Sequence, residues 1–94
     1  MKTIKFLCDD RYEAEKLAGL VSVQKDGTMY IAGVTAVIGN EVVIKLKDKS
    51  SHAVVMKDKE NTKKLEELLR DVAAGKAAIV SSDFTGPTAE IIVN

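Results

Sequence analysis

Ninety-four residues are enough for one hydrophobic core and too few for two, so a single domain over 1–94 is expected. Hydrophobic residues make up 46% of the chain and charged ones 30%, which excludes a disordered polymer. Fourteen Lys and Arg balance fourteen Asp and Glu, so no bulk charge points to nucleic acid or membrane, and one Cys with one His excludes an internal disulfide or a zinc cage.

The N-terminus, Met1-Lys2-Thr3-Ile4-Lys5-Phe6-Leu7-Cys8-Asp9-Asp10, breaks its apolar residues with Lys5 and closes them with two aspartates, unlike a secretory leader. The longest apolar uncharged stretch, 28–40, is shorter than the roughly 20 residues that cross a bilayer. A soluble, cytoplasmic chain without membrane insertion is expected, its lone thiol kept reduced. No internal repeat or low-complexity tract is visible.

Eleven Val and seven Ile against seven Leu favour pleated strands over helix faces. Residues 3–8 alternate as a first strand, with Ile4, Phe6 and Cys8 on one face. Asp10 and Glu13 have the spacing of a capping box, opening a short helix over 10–18 that Gly19 would end. Leu20–Gln24 reads as strand, and Lys25-Asp26-Gly27 as a hairpin turn. Thr28–Ile38 is apolar on both faces (Tyr30, Ala32, Val34, Ala36 and Ile38 against Met29, Ile31 and Val37), the pattern of a central strand covered from both sides. After a turn at Gly39-Asn40, Glu41–Lys47 alternates with Val42, Ile44 and Leu46 inward. A polar loop over 48–51 leads to a return strand over 52–56. Leu65, Leu68, Leu69, Val72 and Ala73 then form one helical stripe over 59–74, capped by Asp58 or Asn61 and stopped by Gly75. Two strands, 76–81 and 89–93, flank a loop over 82–88.

The expected fold class is therefore α+β: a mainly antiparallel sheet, or a partly closed barrel, of about six or seven strands with one long amphipathic helix. Strands followed by a helix resemble the order of pleckstrin-homology-type domains as far as Gly75. Two further strands follow it here, and the resemblance implies topology only. One helix roughly 10–12 Å across cannot cover a sheet of that width. Closure into a barrel, cover by the 10–18 helix, or cover by another chain would each solve this. The terminal strand, with Ile91, Ile92 and Val93, is expected at a sheet edge, where it would invite a protein partner or a second copy.

The catalytic inventory is thin. His52 stands beside Ser50 and Ser51 without a triad's third member, and Cys8 alternates into a buried, inert position. Asp9, Asp10 and Asp83 would hold magnesium only if folding gathered them; the first two read as helix capping. No cofactor motif is present, and an enzyme is not expected. Charge is uneven: residues 45–64 carry a net +4 and residues 65–94 a net −3. Lys45, Lys47 and Lys49 share one strand period, with His52 and Lys57 nearby in sequence, a candidate ridge for phosphate. Four aromatics and two arginines supply little for base stacking or base reading. The leading expectation is a non-catalytic binding or assembly module using an apolar sheet face or edge. The alternative is an anion-binding protein for a nucleotide, nucleic acid or phosphorylated ligand.

Overall fold

The computed structural model of this chain describes residues 1–22 and 31–94. Its elements are β1 (Lys2–Leu7), α1 (Arg11–Leu20), β2 (Ile31–Ile38), β3 (Glu41–Leu46), β4 (Ser51–Val55), α2 (Lys59–Ala73), β5 (Ile79–Thr85) and β6 (Thr88–Val93). They form two antiparallel three-stranded sheets, ordered β1-β6-β5 and β2-β3-β4. The class is α+β, but neither sheet closes into a barrel. Each sheet carries one helix instead: α1 lies over β5 and β6, α2 over β2 and β3. The cover missing from a one-helix reading is therefore supplied by α1.

The two helices start alike. Asp10 Oδ1 accepts the Glu13 N–H at 2.9 Å, and Asp58 Oδ1 accepts the Asn61 N–H at 2.8 Å. Each cap satisfies one of the donors that a first helical turn leaves unpaired. Glu13 does not complete a capping box; it reaches Lys16 at 2.9 Å. Gly19 does not end α1, which continues through Leu20 to a cap at Val21. The reading of Leu20 as strand is thereby corrected, while residues 23–24, the 25–27 turn and residues 28–30 lie outside the described residues. At the other helix, Gly75 takes φ +76° after α2.

Beneath these elements lies a structural repeat with no visible repeat in the sequence. The order β-α-β-β occurs twice: β1-α1-β2-β3 and β4-α2-β5-β6. Asp10 and Asp58, Leu17 and Leu65, and Ile31 and Ile79 are each 48 positions apart and in equivalent places. Each half lends its first strand to the other: β1 completes the sheet of β5 and β6, and β4 completes that of β2 and β3. The halves meet at one antiparallel bridge between Cys8 and Met56, equivalent residues on a pseudo-two-fold axis. The hydrogen bonds there come in pairs. Asp9 N–H donates to Val55 O and Lys57 N–H to Leu7 O, both at 3.0 Å. Cys8 N–H donates to Pro87 O at 2.8 Å and Met56 N–H to Asn40 O at 2.7 Å. The repeat is hidden in the sequence because capping and burial are kept while side-chain identity has drifted: Phe6 is equivalent to Val54, Ala14 to Thr62 and Val21 to Leu69.

Four further expectations are corrected. Residues 31–38 are an edge strand with a mostly exposed outer face, not a central strand, so apolar content alone misjudged their cover. Residues 82–85 continue β5, and only Gly86-Pro87 turns the hairpin; their Ser, Asp and Thr side chains suit an edge strand as well as a loop. β6, by contrast, is the central strand of its sheet, with Ala89, Ile91 and Val93 facing the core. The order of elements departs from the pleckstrin-homology arrangement from its first helix onward, because α1 follows the first strand. The resulting core is one continuous cluster, including Phe6, Leu17, Ile44, Met56, Leu65, Leu69 and Ile91. No helix among the described residues is long and apolar enough to cross a membrane.

Candidate functional site

Of the basic residues of this segment, Lys57 stands apart from the others. Lys45 points from the outer face of β3, while Lys47 and Lys49 occupy the turn into β4. Lys57 lies beyond the far end of β4, where its backbone N–H bonds Leu7 O, so a whole strand separates it from His52. Sequence proximity had suggested a ridge, but an extended strand carries the chain roughly 3.3 Å per residue.

His52 is half-buried and sits opposite Ile44, on the core side of the sheet. Its Nε2 lies 3.0 Å from Ser50 Oγ, which also contacts Asp48 Oδ1. A carboxylate only accepts, so the Ser50 O–H donates to Asp48 and His52 Nε2–H donates to Ser50. The order Asp-Ser-His leaves the hydroxyl as a link in a chain, with no base taking its proton, unlike an Asp-His-Ser relay. The hydroxyl and backbone N–H of Ser50, and more weakly the nearby His52, hold the Asp48 carboxyl below the ordinary carboxylate range. This constellation fastens a turn.

Cys8 is fully buried beside Met56, sulfur to sulfur 4.0 Å. Burial, reinforced by the charge of Glu13, pushes its thiol up to about 11, so it is un-ionised near neutrality and a poor nucleophile. Asp9, Asp10 and Asp83 are not brought together, and no group of three or more potential ligands among the described residues is placed to hold a metal. Ile91 and Val93 are buried, and Ile92 is half-buried on the outer face between β1 and β5. The terminal strand therefore offers no free edge.

Each sheet has two edge strands, β1 and β5 in one and β2 and β4 in the other, and the exchanged strands β1 and β4 are each latched by a lysine of the facing helix. β1 pairs only with β6, so its odd residues direct their backbone groups outward: Leu7 N–H donates to Asn61 Oδ1 at 2.9 Å and Leu7 O accepts from Lys57. By the same alternation Thr3 N–H, Thr3 O and Lys5 N–H face away from the sheet, with no backbone partner among the described residues. Lys64, from α2, donates through Nζ to Lys5 O at 2.7 Å and stands 5.4 Å from the centre of the Phe6 ring. Between β1 and α2 runs a groove of about 460 Å³ lined by Lys2, Thr3, Ile4, Lys5, Lys64, Glu67, Leu68 and Asp71.

The pseudo-axis repeats the latch at β4 and shows how the two edges differ. Lys16, 48 positions before Lys64, donates to Ala53 O at 2.8 Å. There the ammonium is also paired with Glu13 at 2.9 Å, in a half-buried setting. The residue equivalent to Glu13 is Asn61, which carries no charge and is occupied with Leu7 and Asp58. Lys64 forms no ion pair with any described carboxylate. One edge is thus closed by a lysine with its own counter-ion, the other by a lysine without one. The equivalence of the two helices, though not the latches, has a trace in the sequence: Asp, five residues, then Lys-Leu occurs at 10–17 and again at 58–65.

The chain matches no family model, no curated protein and no solved structure.

Proposed function

We propose that this protein is a small non-catalytic binding module that accepts an extended segment of a partner protein along the open edge of β1. The observation that carries this reading is the groove beside that edge, with backbone donors and an acceptor at Thr3 and Lys5 directed into open space. A strand laid there would pair with these groups, as in recognition by strand addition. Lys64 occupies the Lys5 carbonyl with one flexible side chain, which an incoming backbone N–H can replace. Once displaced, its ammonium would favour an acidic residue on the partner, and Lys2 and Lys5 add to that preference despite Glu67 and Asp71. Lysines on exposed edges also discourage unwanted pairing, so the latch accounts for selectivity as well as access.

The test is selection of extended peptides from a randomised displayed library, followed by titration of the selected peptide into isotope-labelled full-length protein. The Thr3 and Lys5 amide signals should shift and gain exchange protection. Thr3→Pro removes an outward N–H while leaving the β6 side of the strand intact, and should abolish binding in a folded protein. Unchanged affinity in that variant, or shifts confined to other elements, would refute the reading. The anion-binding alternative now rests on Lys45, Lys47 and Lys49 alone. Nucleotide binding that weakens steeply with salt and maps to the 46–50 turn would favour it instead.

A further inference from the structure

We infer that two copies of this chain can exchange halves, forming a swapped dimer hinged at residues 47–50. Three observations carry this. First, each sheet is completed by a strand from the other half, so almost every contact between 1–46 and 51–94 can form equally well between two chains. Second, the described connection between the halves is only the short turn from Leu46 to Ser51. Third, that turn is strained. Lys49 adopts φ +73°, the only non-glycine residue with positive φ among the described residues. The turns within each half place glycine at such a position, Gly39 at +62° and Gly86 at +54°. A side chain in the left-handed region crowds its own backbone, and extending the hinge relieves that crowding.

Opening has a counterweight. The closed turn is held by Leu46 N–H to Ser50 O at 2.9 Å, Lys49 N–H to Leu46 O at 3.0 Å, and the bonds from Ser50 to Asp48. Loss of these bonds and the entropy of association keep the monomer dominant in dilute solution. Exchange emerges when chains refold at high concentration, where the second half encountered can belong to a neighbour. The straightened hinge would join β3 and β4 into one long strand, each half of it pairing with the partner copy.

A cysteine pair distinguishes exchange from ordinary surface association. Thr3 and Ile92 are register partners on β1 and β6, at a pair whose Thr3 backbone groups point away from β6, the close-approach type. Full-length Thr3→Cys/Ile92→Cys is unfolded with reductant, refolded at low and at high concentration, fractionated by size and only then oxidised. The dimer fraction from concentrated refolding should become covalently linked dimer on a non-reducing gel, while the monomer fraction closes its disulfide internally. Lys49→Gly should lower the dimer constant by roughly fivefold per hinge, about 25-fold per dimer. Monomer only after concentrated refolding, or a fully oxidised dimer that runs as monomer on the gel, would overturn the inference. If the cysteine variant does not fold, the parent chain and its Lys49→Gly variant give a second reading: a dimer fraction after concentrated refolding that glycine at the hinge leaves unchanged would equally overturn it.

Discussion

Leu65→Ala tests whether the interlaced halves unfold as one body. Leu65 is fully buried on the inner face of α2, and its equivalent Leu17 is fully buried on α1. The substitution removes three carbon atoms from the core, worth about 2.4 kcal/mol at roughly 0.8 kcal/mol per methylene. Incomplete collapse around the cavity raises the expected loss to about 3–4 kcal/mol. Urea unfolding followed by far-ultraviolet circular dichroism should show the midpoint falling by about 2–3 M, for a slope near 1.2–1.5 kcal/mol per M. The transition should remain single, because β1 cannot leave the sheet of β5 and β6 without exposing Phe6 and Ile91 together. Hydrogen exchange in α1 should accelerate as much as in α2, although Leu65 belongs to the other half. Two separated transitions, or α1 protection unchanged while α2 protection collapses, would refute the coupling. A loss below about 1 kcal/mol would refute the packing itself.

Leu17→Ala should give a comparable loss by the same assay, since the pseudo-axis places it in an equivalent pocket. Gly86→Ala, at φ +54° with open space around it, should destabilise by about 1–2 kcal/mol through backbone conformation alone, measurable as a lower melting temperature. Asp58 is held below the usual carboxylate range by the backbone and side-chain N–H groups of Asn61, and Asp48 by Ser50. Their contribution is present above the unfolded value of 3.8 and is lost as pH falls through the lower folded values, so melting scans of Asp58→Ala should show a shallower acid decline than the parent below about pH 4. Cys8 runs in the opposite sense. Its thiol is raised from 9.0 to about 11, so its contribution is complete below pH 9 and fades as pH rises towards 11. Thiol reagents at pH 8 should label it slowly in the native protein and rapidly in urea; fast native labelling would contradict its burial.

Local patterns carried much of the secondary structure. The Asp58 cap and the alternation of Val42, Ile44 and Leu46 depend on neighbours within a turn or a strand, and the structure places both as their spacing implies. Reading failed where identity depends on a distant partner. Ser82-Asp83-Phe84-Thr85 reads as loop until β6 lies beside it, and Ile91-Ile92-Val93 reads as a free edge until β1 arrives from the other end of the chain. Lys57 parts from the basic segment for a related reason, since strand geometry carries it away from the lysines it follows. The latch lysines were equally out of reach, because Lys16 and Lys64 acquire meaning only from the carbonyls of Ala53 and Lys5.

The amino-acid order alone determined an α+β chain of short strands, with a polar cap before each helix and a thiol set for burial. These follow from interactions spanning a few residues, which composition and periodicity express directly. Tertiary structure alone decided which strand completes which sheet, that the halves trade their first strands about a pseudo-two-fold axis, and that β1 rather than β6 is an edge of its sheet. Such choices are made by pairings between residues up to 91 positions apart, Lys2 with Val93 at the extreme, and no local preference distinguishes them from their alternatives.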